Sequence, residues 1–240
     1  MDYSLLYIIA GILILPAIIY SLIAQIRVSL VFINYATQSS SSGYTADQVA
    51  RRVLDSKGLN HISIKPINGE LTDNYNSRTK VVSLSGNVYG SNSVAAIGVA
   101  CHECGHALQD AENYLPLKIR QIVVPISNFA SRLLMPLIFI GILFNFFYIG
   151  GILGTFFIWA GVIFYGLSFL LNIITLPVEF NASKRALQSL CEDSVLDEEE
   201  LKGAQKVLNS AAQTYVASTI VSLLYFLRFL FLILSITRRD

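Results

Sequence analysis

Residues 102–106 read His-Glu-Cys-Gly-His. On a helix, side chains four residues apart leave the same face one turn apart, so His102 and His106 can grip one metal ion between their imidazoles. Glu103 sits beside the first of them, where its carboxylate can reach a water held by that ion. Two imidazoles with a carboxylate beside them suit zinc, and the chemistry they suit is hydrolysis. The chain has only three histidines in 240 residues, so finding two of them at this spacing around a glutamate is poorly explained by composition.

A catalytic zinc usually takes three protein ligands and leaves one position for water. The extended motif with a third histidine six residues on is absent, because that position is Glu112. His61, the remaining histidine, falls in a predicted loop before a strand, where a surface role is the simpler reading. Glu179 is the stronger candidate. It lies in Leu176-Pro177-Val178-Glu179-Phe180-Asn181-Ala182-Ser183, and Pro177 predicts a helix start just before it. Glu179, Ala182, Ser183 and Ala186 would then share one face, with small residues permitting close approach to the motif helix. The competing reading is an acidic residue that favours a helix N-terminus.

The elements that must position these groups are largely apolar. Hydrophobic residues make up 54% and charged ones 14% of the chain, against a usual charged share of about 25%. A net charge of +1 offers no field for nucleic acid. Four apolar blocks stand out: Tyr3 to Ile26, Leu133 to Tyr148, Ile152 to Leu176, and Val216 to Ile236. The first is too long for a signal-peptide core and lacks a basic leader, so it is expected to stay as a span. The middle two, parted at Gly150-Gly151 with no charge between Arg132 and Glu179, predict a transmembrane hairpin. Arg228 in the last block must face a bundle interior, a cavity or a headgroup, which leaves that block either a span or an interfacial helix.

The chain therefore divides into an N-terminal transmembrane helix (1–26), a catalytic segment (27–132), a transmembrane hairpin (133–176), a helical segment with the third ligand (177–215) and a last transmembrane or interfacial helix (216–240). Within the catalytic segment, Gln38–Gly43 reads as a flexible tether and Thr45-Ala46-Asp47-Gln48 as a capping box opening a helix that Gly58 ends. Ile62, Ile64 and Ile67 alternate as in a strand, Asp73–Asn76 is turn-like, and Val81–Leu84 is a second strand able to align an extended peptide. Val94 to Gln109 is the motif helix. Cys101 and Cys104 form a C-x-x-C with no second pair, so packing is the simpler role. The acidic run Asp197–Glu200 suits a helix N-terminus better than a cation site.

This order of elements, with Leu71-Thr72-Asp73-Asn74-Tyr75, Thr79–Ser85, Val94-Ala95-Ala96 and Leu115–Arg120, resembles the YugP-type neutral zinc metallopeptidases of bacterial membranes over nearly the whole chain. More distantly it looks like the HtpX heat-shock proteases and the CAAX prenyl endopeptidases. The resemblance implies Glu179 as third ligand in a glutamate-zincin arrangement. Ser183 stands where the distant relatives have an aspartate, so an uncharged group replaces the carboxylate expected to orient a ligand histidine, with Asp73 a possible substitute.

The expected fold is a multi-pass α-helical membrane protein with a small α+β zincin-like catalytic domain, holding one zinc ion on His102, His106 and Glu179, with Glu103 as general base. The expected activity is endopeptidase cleavage of peptides or membrane proteins near the cytoplasmic surface of a bacterial membrane, with Tyr75 and Tyr89 as candidate oxyanion donors. The expected partners are such a substrate and the lipid bilayer, and no nucleic acid. The rival is a non-catalytic scaffold or chaperone-like protein with a structural zinc. A zinc transporter would want ionisable groups inside the spans, and the hairpin has none. Arg27, Arg120, Arg132, Lys184 and Arg185 border the polar segments and put them in the cytoplasm, although Arg238-Arg239 disagrees if the last block crosses fully.

Overall fold

The computed structural model describes residues 2–146 and 151–237. The order is α1 (Tyr3–Ala36), α2 (Ala46–Ser56), β1 (Ser63–Ile67), β2 (Asn74–Asn76), β3 (Val81–Ser85), α3 (Val94–Ala111), α4 (Leu115–Phe146), α5 (Gly151–Glu192) and α6 (Glu198–Thr237). Three described helices are long and apolar enough to cross a membrane: Tyr3–Ala36, Trp159–Glu192 and Glu198–Ser235. The described residues are mostly helical, with one small three-stranded sheet. It forms two compact units, one of Met1–Leu22, Ile119–Thr175 and Tyr215–Asp240, the other of Ile23–Lys118 and Leu176–Thr214.

In the first unit, aromatic and small residues pack helix on helix. Phe169 stacks on Phe226 with ring centroids 6.0 Å apart, and Tyr165 meets Phe229 at 5.4 Å. Arg228, set in the apolar part of α6, has its charge partnered. Its guanidinium lies 4.9 Å from the centre of the Tyr7 ring, and Nη2 donates to the Tyr7 hydroxyl at 3.1 Å. The end of the second apolar block at Tyr148, the expected turn at Gly150, and Arg238-Arg239 lie outside the described residues.

The second unit holds the sheet and the motif helix. Strand order is β1-β3-β2, with β1 parallel to β3 (Ser63↔Val81 to Ile67↔Ser85) and β2 antiparallel to it (Asn74↔Ser83 to Asn76↔Val81). Successive strand residues face opposite sides, and Val82 and Leu84 are fully buried. They join a core with Val49, Val53 and Leu54 of α2 and Ile97 and Ala100 of α3. The capping box opens α2 as predicted, Gln48 Oε1 accepting from the Thr45 backbone N–H at 3.1 Å. Ser93 caps α3, its Oγ accepting from the Ala96 N–H at 3.2 Å.

Four local expectations are corrected. The serine run is pinned rather than a free tether: the Ser40 N–H donates to the Asn92 carbonyl at 2.9 Å, and Ser41 donates to the Glu200 carboxylate. Asn74–Asn76 is a strand, because β3 supplies a ladder that a turn-like composition does not announce. The Val81 strand is the centre of the sheet, with both edges paired, so β1 and β2 are the edges. Finally, no helix starts at Pro177, which sits inside α5; the ring deletes one backbone donor, and the helix continues through the gap.

Candidate metal centre

His102 and His106 stand on one face of α3 with ring centroids 4.8 Å apart and ring planes at 85°. The helix is buried because its neighbouring residues are small: Ala95, Ala96, Ala100, Cys101 and Cys104 have no exposure. Both thiols are pushed above their usual range by burial, so they pack rather than react, as the sequence suggested. Glu179 arrives from α5, and it can do so because residue 105 is glycine. A Cβ there would stand 2.4 Å from the carbonyl oxygen of Ala182 and 3.0 Å from its carbon. The two backbones touch.

Gly105→Ala must therefore push α5 away from α3. It is expected to cost about 1–3 kcal/mol of stability, the usual range for overpacking, and to weaken zinc binding along with it. Thermal unfolding with and without added zinc checks both effects.

The approach brings three donors together. Glu179 Oε2 is 3.2 Å from His102 Nε2 and 3.6 Å from His106 Nε2, and the ligand atoms of all three residues lie within 4.8 Å of one another. Donors 2.0–2.1 Å from a tetrahedral zinc are separated by about 3.3 Å, so the set fits one such ion. Glu179 is 2% exposed, and a carboxylate so buried requires a positive partner. The electrostatics agree in direction. Burial alone lowers the His106 pKa, but the Glu179 hydrogen bond and the Glu103 and Glu179 charges overcome it, and the net shift is upward. The site favours positive charge.

Glu103 is buried beside the pair. Burial pushes its carboxyl up; His106 and His102 oppose the rise, while Glu179 and Asp73 add to it.

Each histidine is held from behind by an uncharged group. Ser183 Oγ lies 3.1 Å from His102 Nδ1, so the serine occupies the orienting place of the expected aspartate. Gln109 Oε1 lies 3.0 Å from His106 Nδ1. Gln109 belongs to no metal-binding motif, and its one signal in the sequence is its position three residues beyond His106, on the same helix face. Its amide N–H groups donate to the Val178 carbonyl at 2.8 Å and to Asn181 Oδ1 at 3.0 Å.

The other candidates lie outside the three-residue donor group. Asp73 accepts from the Ser85 N–H and hydroxyl, both at 2.7 Å, rather than orienting a histidine. Tyr75 donates its hydroxyl to Asp110 at 2.7 Å, and burial followed by that bond pushes the phenol up, so its proton is committed. Glu112, at the position of the missing third histidine, takes both arms of Arg185 at 2.7 Å. His61 is exposed and outside the group. Tyr89 is an exposed residue of the loop after β3.

Comparisons with known proteins agree with this chemistry. A family described as "Putative neutral zinc metallopeptidase" matches residues 10–234. The chain is 42% identical over 213 residues to the "Putative membrane protease YugP" of Bacillus subtilis (strain 168), covering 88% of this chain and 91% of that protein. No solved structure matches the chain.

Proposed function

The chain belongs to the neutral zinc metallopeptidase family, and from that premise we propose that it is an integral, multi-pass membrane endopeptidase of the glutamate-zincin kind. It cleaves peptides or membrane proteins near the cytoplasmic surface of a bacterial membrane. The observation that carries this reading is the convergence of His102, His106 and Glu179 on one point with the Glu103 carboxylate beside it.

In this reading His102, His106 and Glu179 hold one zinc ion. Zinc, when bound, polarises a carbonyl and makes water a better nucleophile near neutral pH. Glu103 accepts a proton from the attacking water and delivers it to the nitrogen of the departing amine. Ser183 and Gln109 keep the histidine faces turned inward. The free edge of β2, the short strand that sends Tyr75 to Asp110 of α3, aligns an extended substrate by adding a strand.

The segments 27–132 and 177–215 form the catalytic part in this scheme, and 1–26, 133–176 and 216–240 the membrane part. Glu179 follows the apolar stretch of α5 within a few residues, which supports action close to the bilayer surface. The basic residues flanking the polar segments support a cytoplasmic site.

The test uses the full chain in detergent with a quenched peptide substrate. Turnover should vanish with a zinc chelator and return with stoichiometric zinc. Zinc bound at one per chain with no turnover on any peptide or membrane-protein substrate would instead favour a scaffold with a structural metal.

A further inference from the structure

We propose that Gln109 is the positioning residue that joins the two halves of the metal centre, setting the proton on His106 with one end of its amide and holding the backbone that carries Glu179 with the other. This rests on reading His102, His106 and Glu179 as zinc ligands. Gln109 has no exposure, in a place where a lost amide partner costs about 1–3 kcal/mol. Its contacts are complete and directional. The Val178 carbonyl, 2.8 Å away, can only accept. Asn181 Oδ1, 3.0 Å away, is held as an acceptor because it also takes the Arg185 Nε–H at 2.7 Å. The NH2 end of Gln109 therefore faces α5, and Oε1 faces His106 Nδ1 at 3.0 Å.

Two consequences follow from that orientation. An acceptor at Nδ1 obliges His106 to carry its proton there, which leaves the Nε2 lone pair on the side of Glu179. Val178 is the residue before Glu179, so the same amide fixes the turn of α5 that presents the carboxylate. Ser183 orients His102 in the reverse direction, from α5 to α3, by a single contact. Gln109 acts on a ligand from each helix.

A residue that merely filled space between the two helices would tolerate an apolar side chain of its own size with no change in zinc affinity. The test measures zinc affinity of the full chain in detergent by competition with a chromogenic chelator, together with the thermal midpoint with and without zinc. Gln109→Met, similar in size but with neither donor nor acceptor, should weaken zinc by about 10- to 100-fold. The zinc-dependent rise in midpoint should shrink with it. Gln109→Asn, one methylene too short to reach both partners, should weaken zinc by at least about tenfold and serves if the first variant does not fold. Wild-type zinc affinity in either folded variant, with both midpoints lowered equally, overturns the proposal. The outcomes separate from those of the underlying reading. If the wild type binds no zinc, or Glu179→Ala binds it unchanged, the ligand assignment fails. If those two behave as expected and the Gln109 variants keep their zinc, only the role of Gln109 fails.

Discussion

Glu103→Gln should keep its zinc and lose its peptidase activity. The substitution is nearly isosteric, so the burial of this side chain beside the histidines creates neither a cavity nor a clash. The amide cannot accept the proton of an attacking water. General-base catalysis contributes about 10²–10⁴-fold, and the loss in kcat should fall in that range. Zinc occupancy should hold, because the donors of His102, His106 and Glu179 converge without any contribution from residue 103. Folding should not suffer either. Burial raises the Glu103 carboxyl, so its charged form is disfavoured where it stands, and a neutral amide relieves that cost. Metal content, thermal midpoint and kcat measured on one preparation check all three expectations. Undiminished turnover would remove Glu103 from the mechanism.

Local rules reached some of this arrangement and stopped where long-range contacts take over. The Thr45–Gln48 box, the small-residue run before His102 and the apolar blocks are local signals, and they yield α2, α3 and the membrane-length helices. Strand β2 is not local. Asparagine is a poor strand former, and Asn74–Asn76 is extended only because β3 offers it partners. Pro177 misleads for a related reason: the helix-start rule describes an isolated segment, whereas α5 is already running when it reaches the proline. Glu179 could be proposed from its place after a long apolar block. Its distance to the histidines depends on what Gly105 permits against Ala182, seventy-seven residues along the chain. Gln109 shows the same limit. Spacing puts it beneath His106, but the Val178 carbonyl and Asn181 Oδ1 on α5 decide which way its amide points.

Glu179→Ala should lose both the metal and the activity, and the loss should be deeper than a missing ligand alone would produce. The carboxylate supplies the one negative charge among the three converging donors, so its removal leaves two neutral imidazoles at a site otherwise suited to a dication. Two histidines in helical register bind zinc, but without a third anchor they give up the open, fixed coordination that hydrolysis needs. Stability should follow occupancy. At free zinc about a hundredfold above Kd, binding adds about 2.7 kcal/mol to folding, and the variant forfeits that amount. Its midpoint should then be insensitive to added zinc, which distinguishes a lost ligand from a damaged fold. Glu179→Gln sharpens the comparison by keeping the shape and one oxygen donor while deleting the charge. It should bind zinc more weakly than the wild type and more tightly than the alanine variant. Stoichiometric, wild-type zinc in Glu179→Ala would reassign the third position, with Asp73 next in line because its charge already reaches Glu103. Paired with Glu103→Gln, the result separates holding the metal from using it: one carboxylate should govern both occupancy and turnover, the other turnover alone.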